Sequence, residues 1–250
     1  MEEQFRPSSY TPSPSAVWNW LRLQARLLLD FQFKTIYRDL KNILPGIKGK
    51  VLDVGCGQSP YKQLFNCRGI SYCGIDIYEA GRFGYKNSES LKFDGQRIPF
   101  PDASFDYFLC TEVLEHVEEP QKLVDEIYRV LKPSTAGVIT VPWSARFHYI
   151  PCDYYRFTPA ALSRYFKNFK SQKVVPRGSD ITVVASKIVV IYYWSIKLSN
   201  NALLWPVKLI AAIALFPLAI LAVLIGHLSL ILRIGSKDDP LGYTIWLEKA

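Results

Sequence analysis

One run constrains this chain more than any other: Val51-Leu52-Asp53-Val54-Gly55-Cys56-Gly57-Gln58-Ser59-Pro60. Two apolar residues, an acid and a valine leading into Gly-x-Gly predict a buried parallel strand that ends in a tight turn. Neither Gly55 nor Gly57 has a Cβ, so both tolerate positive φ and let a ligand approach the backbone. In α/β folds such a turn holds an adenosine-containing ligand. The dinucleotide pattern Gly-x-Gly-x-x-Gly is not completed, because Pro60 stands where its last glycine belongs.

Strand and helix patterns then alternate. A short helix is expected over residues 61–65. Residues 70–77 predict a second strand carrying Asp76 and Ile77 at its end. Asp76 lies about 23 residues beyond Asp53, a spacing that suits a carboxylate accepting both ribose hydroxyls. Residues 91–95 supply a third strand end with Asp94 and Gly95, residues 105–110 a fourth strand, and residues 137–142 a fifth. A helix over 120–131 is stopped by Lys132-Pro133. Residues 170–177 and 242–249 fit a sixth and a seventh strand. This alternation means an open, mostly parallel sheet with helices on both faces.

At 250 residues, the chain has room for one α/β domain with additions. The cysteines at 56, 67, 73, 110 and 152 have neither the paired spacing of a zinc site nor the density of a disulfide scaffold, and read as reduced thiols. Met1-Glu2-Glu3 lacks the basic start of a secretory signal, so the catalytic part is expected on the cytoplasmic side. Residues 6–15, with Pro7, Pro12 and Pro14, predict a flexible lead. A helical pattern follows over 15–44, with Trp18, Leu21, Leu28, Phe31, Leu40 and Ile43 among Arg22, Arg26, Lys34, Arg38 and Lys41. It reads as a lid packed over the domain; a membrane-interface helix carrying Trp18 and Trp20 is the alternative.

Four features in order carry a family resemblance: Asp53-x-Gly55-x-Gly57, Gly74-Ile75-Asp76, the run from Phe93-Asp94-Gly95 to Phe105-Asp106, and Cys110-Thr111-Glu112-Val113-Leu114-Glu115-His116-Val117. On these, residues 46–170 resemble a class I S-adenosylmethionine-dependent methyltransferase, most similar to the small-molecule group that includes ubiquinone-biosynthesis O-methyltransferases. Ser59 departs from the third glycine common in that family's turn. The resemblance implies a Rossmann-like seven-stranded sheet with an antiparallel last strand, and S-adenosylmethionine as cofactor. It implies that Gly55 and Gly57 hold the methionine part, with Asp53 beside them binding or bracing the turn. Asp76 and Ile77 would take the ribose, Asp94 and Gly95 the adenine, and Cys110 and Thr111 would line the pocket near the sulfonium.

Methyl transfer from a sulfonium asks for alignment, plus a base where the nucleophile carries a proton. His116 and His148 are the catalytic candidates. Glu112, Glu115 and His116 stand at i, i+3 and i+4 and would share one face if the segment were helical. In some relatives a similar acid-acid-His set holds a divalent metal, with His148 and Asp153 suited to complete the shell. The same pattern also occurs in the fold without metal, with His116 as a base or hydrogen-bond partner, and both readings stay open. Residues 147–158 form an aromatic loop in which Tyr154, Tyr155 and Arg156 are placed to grip a sugar, phenol or phosphate; the alternative is that the tyrosines cover the core.

Residues 181–240 exceed what an ordinary member of the family needs. Within them, residues 209–232 carry no charge, and as a helix would measure roughly 36 Å against a bilayer core of about 30 Å. Pairing of strands six and seven in one sheet would require the chain to return to the side it left, which excludes a single span. Residues 181–196 make a poor second span: they are short, carry Lys187, and would leave Lys197 and Lys208 outside, against the positive-inside tendency. Pro217 and Gly226 are therefore expected to divide the longer run into arms that dip into one leaflet and return.

The expected organisation is a lead and helical extension (1–45), a methyltransferase core (46–180), a hydrophobic membrane-associating insertion (181–240) and a final strand (241–250). A net charge of +8 suits nucleic acid or an anionic membrane equally. Hydropathy decides for lipid, because 49% of residues are hydrophobic against 21% charged, and the apolar excess lies beyond residue 180. The expected function is methylation, at oxygen, of a lipid-linked or hydrophobic small molecule such as a glycan-lipid or quinone-like acceptor. A non-catalytic cofactor-binding membrane adaptor is opposed by the acids at 53, 76 and 94. A nucleic-acid methyltransferase has only the net charge behind it.

Overall fold

In chain order the strands are β1 (Gly49–Val54), β2 (Ile70–Ile77), β3 (Leu91–Phe93), β4 (Phe105–Thr111), β5 (Leu131–Pro142), β6 (Ser171–Arg177) and β7 (Gly242–Glu248). The computed structural model describes residues 16–85, 87–196 and 205–250; the lead at 6–15 and Lys197 lie outside the described residues. The strands make one sheet in the order β3-β2-β1-β4-β5-β7-β6. Pairings among β1 to β5 are parallel, and β7 runs antiparallel to β5. Since β1 lies between β2 and β4, strand order reverses beside it. That is the switch point at which open α/β sheets bind ligands, beyond the carboxyl ends of the strands.

The helices are α1 (Ala16–Leu29), α2 (Phe31–Ile43), α3 (Pro120–Val130), α4 (Pro159–Tyr165), α5 (Asp180–Ile196) and α6 (Trp205–Leu232). After the glycine turn the chain makes only a short 3₁₀ turn, Lys62–Phe65, and after β2 another, Tyr78–Phe83. The core joins Leu52 and Val54 of β1, Phe108 and Cys110 of β4, Ile127 and Val130 of α3, Ile139 of β5 and Ile245 of β7. Phe108 pairs with Gly137, and a Cβ at Gly137 would lie 1.9 Å from the Phe108 ring. The glycine thus makes room for a ring lying across its strand.

The chain divides into two compact units: Ile36–Val175 with Gly242–Ala250, and residues 16–35 with Pro176–Leu241. In the second unit the long N-terminal pattern resolves into two helices. The break falls at Asp30, whose Oδ1 accepts the Phe33 N–H at 2.9 Å and caps α2. α1 does not have the burial of a packed lid: none of its residues is buried, and Trp18 and Trp20 are each 59% exposed.

α5 and α6 pack antiparallel. Ser179 Oγ lies 2.9 Å from Ser229 Oγ, Ala185 sits beside Gly226, and the Tyr192 and Phe216 rings are 6.0 Å apart. The buried stripe of α6 is made of small residues, Ala212, Ala219, Ala222, Gly226 and Ser229. A Cβ at Gly226 would come within 2.4 Å of Phe31 Cζ and 2.9 Å of Ala185 Cβ. The expected division of the apolar run does not occur: α6 continues through Pro217 as one helix of 28 residues. Proline removes one backbone hydrogen bond, but contacts on both sides of it, through Ala212, Phe216, Ala219 and Ala222, hold the axis. Gly226 provides close approach rather than a break. At the base of the pair, Asp180 Oδ1 accepts the N–H groups of Ile181 (2.7 Å) and Ser236 (2.9 Å). His227 accepts from Lys34 Nζ at Nδ1 and donates from Nε2 to the Leu28 carbonyl, both at 2.9 Å.

Because the Phe108 ring occupies the space above Gly137, Gly137→Ala is expected to lower the stability of the first unit by about 1–3 kcal/mol through overpacking, measured as a shift in urea midpoint at unchanged slope.

Candidate active site

At the end of β1, Gly55 (φ +68°) and Gly57 (φ +52°) turn the chain, and Ser59 keeps a left-handed φ of +51° in place of a third glycine. A Cβ at Gly55 would lie 2.5 Å from Val113 Cγ2, and one at Gly57 would lie 3.3 Å from the Tyr85 ring. The buried Asp76 carboxylate closes the turn from β2. Its Oδ2 accepts the Gly57 N–H at 2.9 Å and its Oδ1 the Ile77 N–H at 2.8 Å. Burial raises its pKa against the lowering effect of these bonds. Each oxygen keeps a further lone pair for a ligand hydroxyl.

Asp53 faces β2 instead. Its Oδ2 accepts the Tyr72 hydroxyl at 2.5 Å, while its buried Oδ1 has no hydrogen-bond partner among the described residues. Burial pushes its pKa up to about 7, with the Tyr72 bond opposing and the Asp76 charge adding. Asp94 is exposed; its Oδ1 accepts the N–H groups of Gln96 (2.8 Å) and Arg97 (3.0 Å), which hold its pKa below the usual value. Gly95 follows at φ +76°, against Ile77. Cys110 is fully buried, its thiol pushed up by burial, and Thr111 ends β4 opposite Thr140.

The segment after Thr111 is not an α-helix. Glu112 has a φ of +54°, and only a 3₁₀ turn, Leu114–His116, follows. A left-handed residue at that point removes the shared helical face expected for Glu112, Glu115 and His116. Glu112 instead accepts the Thr140 hydroxyl at 2.9 Å. Glu115 is fully buried, and among the described residues neither of its carboxyl oxygens has a hydrogen-bond partner. Burial first, then the Glu112 charge, raises its pKa well above the ordinary value.

His116 donates from Nδ1 to the Cys152 carbonyl at 2.6 Å, leaving the Nε2 lone pair 3.8 Å from Glu115 Oε1. Burial lowers its pKa to about 4, so the imidazole is neutral. The His148 ring packs edge-on against it at 4.8 Å, with Nδ1 bonded to the Arg146 carbonyl. One ligand atom each from Glu115, His116 and His148 lies within 4.8 Å of the others. Among the described residues this is the cluster suited to a cation. It includes His148 and leaves out Glu112.

The aromatic loop is tied down by its own polar groups. Arg156 forms a two-pronged pair with Asp153 (2.6 and 2.9 Å) and donates to the carbonyls of Tyr155 and Arg146. Its guanidinium therefore braces the loop, and so does Asp153, which was expected as a metal ligand. The hydroxyls of Tyr154 and Tyr155 donate to the Glu118 side chain and carbonyl, at 2.9 and 2.8 Å. Tyr155 packs on the core beside Phe157, whereas Tyr154 is 41% exposed.

Two residues at the site have no signature in the sequence, because they lie between regular elements where neither periodicity nor motif marks them. The Asn87 amide donates to the Gly57 carbonyl and to Ser59 Oγ, both at 2.9 Å. Tyr85, whose ring meets Gly57, shares a 2.8 Å hydroxyl–hydroxyl bond with the buried Tyr149 of the aromatic loop. Tyr149 packs against His116 and His148.

A glycine turn at the switch point, an acid closing it from β2 and an acid-turn at β3 are joined by a family comparison. Residues 52–139 match a family model described as a methyltransferase domain. Over these residues the chain is similar to a methyltransferase domain. The chain is 28% identical, over 174 residues, to an uncharacterized methyltransferase of Mycobacterium sp. (strain JLS); the match spans 67% of this chain and 64% of that protein. An uncharacterized methyltransferase of Mycobacterium tuberculosis (strain ATCC 25177 / H37Ra) is 26% identical over 225 residues, 79% of this chain and 84% of the relative. In fold, the chain is similar to a SAM dependent methyltransferase from Archaeoglobus fulgidus, with a TM-score of 0.52 and 20% identity over 91% of this chain and 99% of that one.

The raised pKa of Asp53 makes the methyltransferase domain sensitive to pH. The folded state binds this proton more tightly than the unfolded state does, so stability is lost as pH rises from the ordinary carboxylate value of 3.8 to about 7. Asp53→Asn keeps an oxygen for Tyr72 and removes the titration. Thermal unfolding across pH 4–7 should therefore show wild type losing stability relative to the variant as pH rises.

Proposed function

We propose that this protein transfers a methyl group from S-adenosylmethionine to an oxygen of a small acceptor held in a membrane. In this reading the glycine turn carries the methionine part of the donor, Asp76 the ribose hydroxyls and Asp94 the adenine, with Cys110 and Thr111 beside the sulfonium. His116 stands at the acceptor side. Burial keeps its imidazole neutral, the form that accepts a proton as an acceptor hydroxyl is methylated. Tyr154, exposed at the loop, contacts the acceptor.

One observation carries the membrane part: α6 is apolar enough to enter a bilayer, yet only 22% of its most hydrophobic window is buried. Helices of a water-soluble core bury such a surface. Here Val207, Ile210, Ile213, Leu224 and Ile231 are each more than 60% exposed. A helix apolar on all sides but one narrow seam is matched to lipid. Trp194, Trp205 and the outward Trp18 and Trp20 suit the headgroup region, where an aromatic ring meets both water and hydrocarbon. Both ends of the inserted pair lead into strands of one sheet, so the chain returns to the side it left. An acceptor on a lipid accounts for a methyltransferase domain with such an insertion.

The test is direct. The protein is incubated with S-adenosylmethionine labelled in its methyl group and with membranes from its host. Label is expected in the organic phase of a lipid extract with wild type and is expected to vanish with Asp76→Ala. Label confined to nucleic acid or protein would refute the lipid acceptor.

A second reading concerns the same site. The orphaned, buried carboxyl of Glu115 beside two imidazoles, each with Nδ1 fixed by a backbone carbonyl, is an arrangement that a divalent cation completes. Glu115, His116 and His148 would hold the ion, which would polarise the acceptor oxygen. Mn²⁺ at saturating concentration is expected to raise the melting temperature of wild type and to leave His148→Ala unchanged. Equal shifts in both proteins would place the ion elsewhere, and no shift in wild type would remove it.

A further inference from the structure

Every group of Gly57 is held. Its N–H goes to Asp76, its carbonyl accepts from Asn87, and its open face lies under the Tyr85 ring. Two of these three partners, Tyr85 and Asn87, follow the 3₁₀ turn after β2, which ends at Gly84, a left-handed residue at φ +81°. A second tie on this segment is the ion pair between Glu89 and Lys62, the residue that begins the turn after the glycines. The segment is therefore clipped along the donor turn.

The same segment reaches the acceptor side through one side chain. Tyr85 Oη and Tyr149 Oη are 2.8 Å apart. Tyr149 belongs to the aromatic loop, and its ring stands 5.4 Å from that of His116 and 5.2 Å from that of His148. The Tyr149 carbonyl accepts the N–H of Cys152, and the Cys152 carbonyl accepts the Nδ1 proton of His116. A short path of contacts thus runs from the glycine that carries the donor to the imidazole that faces the acceptor.

We propose that the Tyr85–Tyr149 hydroxyl pair couples the two halves of the site, so that a donor seated on the glycine turn orders the loop that receives the acceptor. Tyr85 and Tyr149 are positioning residues for methyl transfer. The proposal rests on the assignment of the glycine turn to S-adenosylmethionine. Coupling of this kind is reciprocal: whatever the donor does for the loop, an ordered loop does for donor affinity. One hydrogen bond between partly buried hydroxyls sets its size at roughly threefold to tenfold in affinity.

The experiment measures hydrogen exchange of residues 147–153 in the full-length protein, without donor and with saturating S-adenosylmethionine or S-adenosylhomocysteine. Wild type is expected to show slower exchange in this loop when the donor is present. Tyr85→Phe and Tyr149→Phe keep both rings, and with them the packing on Gly57 and on the histidines, and remove a bridging hydroxyl. Each is expected to lose most of the donor-dependent protection while still binding donor, with affinity weakened roughly threefold to tenfold, and the double variant should lose no more than either single one. A purely structural bond would lower the melting temperature but leave the donor-dependent change intact. Full protection in either Phe variant at saturating donor overturns the coupling. A wild-type protein that binds donor without slowing the loop overturns it as well, and a wild type that binds neither ligand removes the cofactor assignment beneath it.

Discussion

The hydrogen bond from Gly57 N–H to Asp76 Oδ2 ties the loop after β1 to the end of β2. Much of the site depends on that tie. The N–H groups of a tight turn point in one direction and need an acceptor; in a ligand-free turn at a sheet edge, water would supply it. Here a carboxylate supplies it, held in turn by the Ile77 N–H. Burying the carboxylate is unfavourable, as its raised pKa records, and the two backbone bonds offset part of that cost. The result is a turn shaped before any ligand arrives, which lowers the ordering cost of binding.

Much of the sheet is legible in the residues themselves. The strands over 70–77, 171–177 and 242–248 coincide with the expected segments to within a residue, because each is an apolar or alternating run bounded by breakers. The glycine turn and the acids after it are legible for the same reason: only a few residue types tolerate those backbone angles or that spacing. The acid-acid-His segment is not, because a period of three and four residues is compatible with a helix but does not compel one, and Glu112 adopts a left-handed φ directly after β4. The long N-terminal pattern hid its break, since Asp30 serves both as a helix-compatible polar residue and as a cap. Tyr85, Asn87 and Tyr149 come together from loops far apart in the chain, and such meetings are set by tertiary structure alone.

Pro217 offers the opposite lesson. Intrinsic preference says that a helix ends near it, yet α6 continues, because preference is a small quantity beside packing along a whole seam. That seam is built from residues too small to carry much hydrophobic area, so its value lies in close backbone approach. The large aliphatic side chains are left on the outside. Small residues inside and large ones outside, rather than hydropathy by itself, separate the inserted pair from an ordinary core.

The buried acids give the site an electrostatic character that bears on turnover. Asp53, Asp76 and Glu115 all have raised pKa values, and burial is the first cause in each. These groups are charged at a cost, or hold a proton to avoid it. S-adenosylmethionine brings a sulfonium cation, and a positive charge nearby favours the ionised acids. On the proposed reading the donor's charge offsets part of the cost of burying these acids. Methyl transfer turns the sulfonium into a neutral thioether, and the relief is lost at the moment of product formation. On the proposed reading, acids whose charged form burial disfavours make the site prefer its substrate to its product, without a residue dedicated to that discrimination.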